Sequence, residues 1–528
     1  MAAFYRCVNT IVMIKYLKFI TIVLAVSLCA MACSKKGGNP PEPVKPVVDP
    51  PAKPEGPYLG VTLGFQYSAQ LTGPPDYPQM QNRSMYNPDP AHPELTWLSW
   101  AEQLGQAGVD FVCPNLTGSK PNDNGSPVKI AAMLDALNKL GLSSKIKIAL
   151  FDDNAASWTA QWNMANGRGY GYAQPFDISD PNNWKYIYDY NYKLFFETIP
   201  DANRFKIAGR PVIIIWTCNP TFVGNAAGNA SRAITYIRQK CKADFGFNPY
   251  IILNGDFFTS DPSCASPGIA DAKHNWFGPP SSPYTLGSWN SVNTGVVVPQ
   301  FQNPAKGGSY LNPDHGKLFS DGLAGTVGRG AQLTLCEGFT DYEEDAAMWR
   351  AANINPDGSV RDYSQSGYDY PNQRINILRK YSSDPFPSVL KLEAEGCDQF
   401  YGAAGGNGRV NYYRNGNIAV YGTSDAGGGH HVGSIQAGEA LEWNELPFGT
   451  AGGHIQLRIA TDNADTRVHI EIDGTALPAK NLPNTGGLDK WSTFDYGTVN
   501  NTAKSYHKIK VVFEKGGVNF NWMQIAGS

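Results

Sequence analysis

The sequence predicts an α/β domain of the (β/α)8 TIM-type barrel class followed by an all-β sandwich of jelly-roll kind. Three observations carry this. Eight short β-branched runs alternate with amphipathic helical stretches through the first two thirds of the chain, the pattern of a parallel sheet buried on both faces. The last 140 or so residues change to alternating segments cut by Gly and Asn turns, the pattern of a sandwich. Gly (55) and Pro (38) together reach about 18% of 528 residues while charged residues are 17%, which excludes a coiled coil or helical bundle. A net charge of -3 gives no ground for a nucleic-acid partner and marks no polyacidic tail.

The N-terminal segment reads as targeting. Residues 13–33, MIKYLKFITIVLAVSLCAMAC, place Lys15 and Lys18 before an apolar run from Phe19 to Leu28 and small residues before Cys33. The run is shorter than the ~20 residues a bilayer demands, so it is expected to be a secretory signal rather than a span. Met13 makes a better start for it than Met1. Ala30-Met31-Ala32-Cys33 resembles a bacterial lipobox, which implies lipidation of Cys33 and attachment to the outer membrane of the cell envelope. Residues 34–56 are Pro-rich, a semi-rigid spacer. The remaining cysteines, Cys113, Cys218, Cys241, Cys264, Cys336 and Cys397, have no zinc spacing, and a pair such as Cys241 and Cys264 is open to bonding in an oxidising compartment.

The barrel is expected over residues 57–382. Its strands are YLGVTLGF, VDFVC, KIKIALF, PVIIIW, YIILN, AKHNWF, GVVVPQF and AQLTLC. Among the helices, ELTWLSWAEQLGQAG sets Trp97, Trp100, Ala101 and Leu104 at i, i+3, i+4 and i+7, and SPVKIAAMLDALNKLGL opens on a Ser cap. In such a barrel chemistry gathers where strands end. The residues there are Gln66 and Tyr67, Asn115, Asp152 and Asp153, Trp216, Asn254 and Asp256, His274 and Trp276, Gln300, then Glu337 and Asp341. Rings beside acids and amides suit a sugar, whose C–H faces stack while its hydroxyls bond to carboxylates. Asp153, Trp216, Asp256, His274, Trp276, Gln300 and Tyr67 are therefore the expected substrate contacts.

The last strand runs into AQLTLCEGFTDYEEDAAMWR, where Glu337, Asp341, Glu343, Glu344 and Asp345 crowd together. Glycoside hydrolysis needs two carboxyl groups in different environments, one protonated and one ionised. Asp341 and Glu344 share a face if the segment turns helically. Glu343 and Asp345 are expected to flank a helix over EEDAAMWRAA, at the positive end of its dipole.

Phe339-Thr340-Asp341-Tyr342-Glu343-Glu344 resembles the Trp-Asn-Asp-Tyr-Gly-Glu segment of glycoside hydrolase family 71, the α-1,3-glucanases, and more distantly the Asn-Glu-Trp-x-Glu segment of family 99 endo-α-mannosidases. The resemblance implies a catalytic pair at Asp341 and Glu344, and a further acid at Asp152, since Phe151-Asp152 is similar to a Phe-Asp pair of family 71. An alternative register puts Glu337 on the first family 99 acid. The full layout also resembles a Bacteroides lipoprotein family catalogued as domain of unknown function 5010.

A hinge over residues 383–388 precedes the sandwich, residues 389–528. LEAEG, GSIQAGEALEW, GGHIQLRIATDNADTRVHIEIDG, LPNTGGLDKWSTF and VNFNWMQI fall in the order found in carbohydrate-binding module family 6. That likeness implies a ring platform at Trp491, a hydroxyl-fixing amide at Asn519 or Asn521, an opposing tyrosine among Tyr412, Tyr413 and Tyr421, and a structural calcium near Glu393 and Glu395. Alternation in VNFNWMQI sends Phe520 and Trp522 to one face and Asn519 and Asn521 to the other, so Trp522 is expected in the core. His430-His431 sits in a Gly-rich turn and is expected to hold no metal.

Two functions of different class follow. The first is an endo-acting α-glycan hydrolase held to a polysaccharide by its sandwich. The second is a non-catalytic surface glycan-binding lipoprotein. Either way the expected partner is a polysaccharide or oligosaccharide, membrane contact is through the lipid anchor alone, the chain is monomeric, and no organic cofactor is needed.

Overall fold

Eight apolar runs become eight parallel strands, and their alternation decides which residues reach the site. The computed structural model describes residues 54–64, 84–86, 92–116, 118, 125–278, 282–303, 309–341, 344–352, 367–402, 413–414, 418–448, 453–499 and 504–527. The leader with Cys33, the Pro-rich spacer up to residue 53, Gln66, Tyr67, Tyr342, Glu343 and Tyr412 lie outside the described residues. What is described falls in one unit, Pro46–Ser528. Among the described residues no helix is long and apolar enough to cross a membrane.

The strands are β1 (Tyr58–Leu63), β2 (Phe111–Leu116), β3 (Leu150–Asp152), β4 (Arg210–Ile215), β5 (Tyr250–Asn254), β6 (Ala272–His274), β7 (Tyr284–Trp289), β8 (Val292–Val297) and β9 (Leu333–Cys336). Their order in the sheet is β6-β5-β4-β3-β2-β1-β9-β8-β7. All neighbours are parallel except β7, which is antiparallel to β8. The result is a mixed sheet curved nearly into a barrel, where a fully parallel closed barrel was the expectation. The reason lies in β8: it gives one edge to β9 and the other to the β7 hairpin, so no ladder edge remains for β6. Side chains span the seam instead, Thr294 Oγ1 donating to the Lys273 carbonyl and Thr285 Oγ1 to the Asn275 carbonyl.

Two cores line the sheet. Inward-facing Phe111, Cys113, Ala149, Phe151, Val212, Ile214, Tyr250, Ile252, Ala272, Leu333 and Leu335 fill the middle. Outward-facing Leu59, Val61, Val112, Leu150, Ile213, Ile215, Ile251 and Leu253 meet the helices. Gly60 faces inward, and a Cβ there would lie 2.2 Å from the Phe111 ring, so the glycine yields its volume to that ring. Helix α1 (Pro93–Ala107) buries Trp100, Ala101 and Leu104 on its sheet side. Helix α2 (Gly125–Lys139) starts one residue before Ser126, which lies in its first turn rather than at the cap. The stretch 344–352 is not helical: Asp345 has a φ of 56°, so the helix that Glu343 and Asp345 were expected to flank is not formed there. The six cysteines among the described residues are buried and free, so Cys241 and Cys264 are not bonded.

The C-terminal part is a sandwich of two sheets. One has β12 (Val420–Gly422), β13 (His430–Ile435), β19 (Val518–Gly527), β15 (Gly453–Thr461) and β17 (Gly487–Val499) in that order, with β10 (Val389–Glu393) also on β19. The other has β11 (Gln399–Tyr401), β14 (Ala440–Phe448), β18 (Ser505–Lys515) and β16 (Arg467–Ile472), continued by two short strands. Trp522 departs from the expected pattern. The β15–β19 register shifts between Arg458 and Ile459, and this bulge breaks strict alternation. Phe520 and Met523 enter the core, while Trp522 is half-buried under the Lys391 ammonium, 5.3 Å from its ring.

Arg350 joins the two parts. Fully buried, it donates to Tyr86 OH (2.9 Å), to both Glu102 oxygens (2.6 and 2.7 Å), to Gln106 and to Asn372 Oδ1 (2.6 Å). Asn372 in turn donates to Asp398 Oδ1 (2.7 Å) and to the Gly396 carbonyl (3.0 Å) of the sandwich.

Candidate functional site

Alternation sorts the strand-end residues before any contact is measured. On β3, Ala149 and Phe151 face inward, so Asp153 follows them into the mouth of the sheet while Asp152 turns to the helices. Asp152 is 0% exposed. It accepts from Trp158 Nε1 (2.7 Å), Tyr192 OH (2.6 Å) and Ser157 Oγ. Burial raises its pKa to about 7, against the pull of those three donors. The catalytic role expected for Asp152 is therefore corrected: its neighbours seal it away from the mouth.

On β9, Leu333 and Leu335 face inward, and Glu337 continues that face. Thr62 Oγ1 donates to Glu337 Oε2 (2.7 Å) and itself receives the Gly338 N–H (2.8 Å). Burial, then the charge of Asp341, then those of Glu344 and Asp153, hold the Glu337 carboxyl well above the usual carboxylate range, with the Thr62 hydrogen bond opposing them. Glu337, Asp341, Glu344 and Asp153 thus form one electrostatic group. The turn that gathers them is tight: the Glu344 N–H bonds Asp341 Oδ1 (2.9 Å) and the Ala346 N–H bonds the Asp341 carbonyl (2.9 Å). Gly338 makes it possible, since its φ is 89° and a Cβ would stand 2.8 Å from the Ala346 Cβ.

Rings complete the mouth. Trp216 and Trp276 are half-buried with centroids 6.3 Å apart, and Trp276 lies 5.5 Å from Phe151. His274 is buried, its Nε2–H donating to the Ile215 carbonyl (3.0 Å). Burial lowers its pKa to about 4, so it is neutral near pH 7, and Nδ1 has no partner. Asn115 Oδ1 is likewise buried without one. Asp256 serves a different purpose, accepting from Thr217 Oγ1 to tie the loop after β4 to the short helix Gly255–Ser260 after β5. Gln300 is corrected as a substrate contact. It is 0% exposed, donates to Asp345 and lies 3.4 Å from Arg374 Nη2. Sequence reasoning missed Thr62 and the two exposed tyrosines Tyr170 and Tyr172; the Gly-rich GRGYGY was the signal for the latter.

On the sandwich, Tyr421 and Trp491 flank His431, at ring distances of 5.9 and 5.0 Å. Trp491 Nε1 donates to Ser424 Oγ (3.3 Å). Burial lowers the His431 pKa to about 4, and its Nδ1 has no partner. Asn519 bonds the Ser434 N–H (2.9 Å) and the Leu488 carbonyl (2.8 Å), and Asn521 donates to Asp425 (2.7 Å), which grips Arg458 through both oxygens. Both amides are thus spent on holding loops. Tyr413 stacks on His430 at 3.5 Å. Glu393 pairs with Lys391 (2.6 Å), while Glu395 Oε2 is buried without a partner. Burial raises both carboxyls, and for Glu395 the charge of Glu393 adds to it. Among the described residues no group of three or more His, Cys, Asp or Glu has metal-holding geometry.

Comparison with known proteins follows the same division. A family model described as "Domain of unknown function (DUF5010)" matches residues 55–399, about two thirds of the chain. A second, "Carbohydrate binding module (family 35)", matches residues 414–525, most of the sandwich. The module expected from the segment order is family 6; the model that matches is family 35. The clotting factor G alpha subunit of Tachypleus tridentatus is 26% identical over 117 residues, 22% of this chain and 17% of that protein; the chain thus spans under a fifth of that relative's length. Among solved structures, the C-terminal family 6 module of LamC from Zobellia galactanivorans is 28% identical, covering 26% of this chain and 98% of that one, with a TM-score of 0.22. A β-1,3-glucan-binding family 6 module from Bacillus halodurans is 28% identical over 26% of this chain and 94% of that one, with a TM-score of 0.21.

Proposed function

The chain belongs to the family described as domain of unknown function (DUF5010), and we propose that its barrel-like domain is a glycoside hydrolase acting inside an α-glycan chain. The carrying observation is the group Glu337, Asp341, Glu344 and Asp153 at the strand ends, beside the Trp216 and Trp276 rings. Glycosidic cleavage needs one carboxyl that keeps its proton and one that has lost it. Glu337, desolvated and ringed by negative charge, suits the proton donor to the leaving oxygen. Asp341 and Glu344, joined by one turn, suit the base or nucleophile. Trp216 and Trp276 offer apolar faces to the sugar, and the neutral His274 offers an acceptor for a hydroxyl. The near-closed sheet supports a (β/α)8 glycosidase barrel of the family 71 and 99 kind.

The module raises the local concentration of enzyme on the polysaccharide, with Tyr421, His431 and Trp491 as the contact face. A structural calcium fits Glu393 and Glu395, because a divalent cation would offset the repulsion between the half-buried Glu393 and the buried Glu395 and satisfy the lone Glu395 Oε2; backbone carbonyls would supply the remaining oxygens. Lipidation at Cys33 would fix the monomer to the outer membrane, with the spacer holding the domains off the surface.

The test is reducing-end release by the leaderless protein across α-glucans, α-mannans and plant polysaccharides, with Trp491→Ala alongside. Release from one α-glycan, reduced on insoluble substrate by Trp491→Ala, is expected. No release from any of them, with Trp491-dependent binding retained, would instead make the protein a glycan-capturing lipoprotein.

A further inference from the structure

Among the large hydrophobic side chains of the described residues, the two most exposed lie on one loop, GRGYGY, which leads from the helical segment after β3. Tyr170 is 59% exposed and Tyr172 53%. Scattered exposed rings call for no explanation, but a row of them does. Tyr172 meets Phe222 edge to face at 5.0 Å, Phe222 lies 5.8 Å from Trp216, and Trp216 lies 6.3 Å from Trp276. One aromatic row therefore runs from Tyr172 through the loop after β4 to the loop after β6, and Asp153 stands close enough to Tyr170 for its charge to act on the hydroxyl, after desolvation and Tyr172.

The loop is built, not slack. Asn163, 0% exposed, donates to the carbonyls of Gly171 (3.0 Å), Gln174 (2.8 Å) and Thr159 (3.0 Å). The Phe222 carbonyl receives both the Phe176 N–H and Thr159 Oγ1 at 2.7 Å. Phe176–Asp177 then pairs in parallel with Val223–Gly224, locking the tyrosine loop to the phenylalanine loop. A surface that holds rings in place at their own solvation cost is preorganised for a ligand that covers them.

We propose that Tyr170, Tyr172 and Phe222 form a glycan-binding track that continues the Trp216–Trp276 mouth, taking successive sugar rings of an extended, linear glycan by their C–H faces. The inference rests on the glycosidase reading for its ligand class and deepens it: a track open at its far end fits cleavage within a chain. The rings supply stacking without hydroxyl readout, so they recognise chain length, while the acid group and His274 recognise the sugar at the cleavage point.

The test uses the protein carrying Trp491→Ala, which silences the module. Affinities for α-1,3-, α-1,4-gluco- and α-manno-oligosaccharides from disaccharide to octasaccharide are measured by titration calorimetry, with and without Tyr170→Ala/Tyr172→Ala, and with Tyr172→Trp. Both tyrosines are exposed, so an unchanged melting temperature verifies the fold. Affinity is expected to climb with chain length, to fall on the order of tenfold for the longest chains in the double alanine variant, to stay unchanged for the shortest bound sugar, and to recover in Tyr172→Trp. Equal affinity for long chains in both proteins, or no binding to any of these sugars, would overturn the track. Tyr172-dependent binding without any reducing-end release would refute the glycosidase reading and leave the track standing.

Discussion

Asp152 and Asp153 are neighbours in sequence with opposite surroundings, so their amide variants are expected to act on different properties, stability for Asp152 and turnover for Asp153. Asp152 keeps its proton to about pH 7 in the fold, against an ordinary 3.8. Below 3.8 both folded and unfolded states are protonated and the group is silent. Between 3.8 and about 7 the unfolded chain loses the proton while the folded protein keeps it, so stability falls as pH rises; above about 7 the loss is complete. At ~1.4 kcal/mol per pH unit that interval is worth ~4 kcal/mol. Asp152→Asn keeps an acceptor for Trp158 and Tyr192 and cannot ionise. The gap in unfolding free energy between variant and wild type should therefore widen in the variant's favour by ~3–4 kcal/mol from pH 4 to pH 8. Urea denaturation at the two pH values measures it. Asp153→Asn should instead lower glycan turnover. A gap for Asp152→Asn that is the same at both pH values would refute the buried, protonated assignment.

Arg350→Met strands the Glu102 carboxylate, 14% exposed, at the junction of the two parts; a loss of ~3–5 kcal/mol is expected, with partial recovery in Arg350→Met/Glu102→Gln, read by thermal denaturation. Gly338→Ala forces a Cβ toward Ala346 at positive φ, so a cost of ~2 kcal/mol should accompany a larger fall in turnover than in stability, because the turn carries Asp341 and Glu344. If calcium occupies Glu393 and Glu395, a chelator should lower the melting temperature, with ~2.7 kcal/mol lost from a site held at about 100 times its Kd; added calcium should restore it, and Glu395→Gln should remove the response.

Much of the fold was legible because burial on both faces leaves an apolar signature. All eight runs, from YLGVTLGF to AQLTLC, are strands of the one parallel array. The β7 hairpin that takes the last ladder edge was not legible, since YTLGSW has only partial burial and no distinctive pattern. Within the site, the period of two in β3 already separates Asp152 from Asp153, and counting inward from Phe151 would have assigned them. Alternation misled at Trp522, because a bulge depends on the partner strand. Gln300 sits at a strand end yet is closed off by Asp345 and Arg374, residues 45 and 74 positions away. The Arg350 junction is equally remote in sequence, with Glu102 248 positions off, so no local pattern announces it.

The most direct test is turnover, on whichever α-glycan of the panel releases reducing ends, by the wild type, Glu337→Gln, Asp341→Asn and Glu344→Gln, each with glycan binding measured beside it. Each amide should cut the rate by ~100-fold or more while affinity for the glycan persists and the fold melts cooperatively. Wild-type rates in all three variants would remove this carboxylate group from the chemistry and with it the central claim.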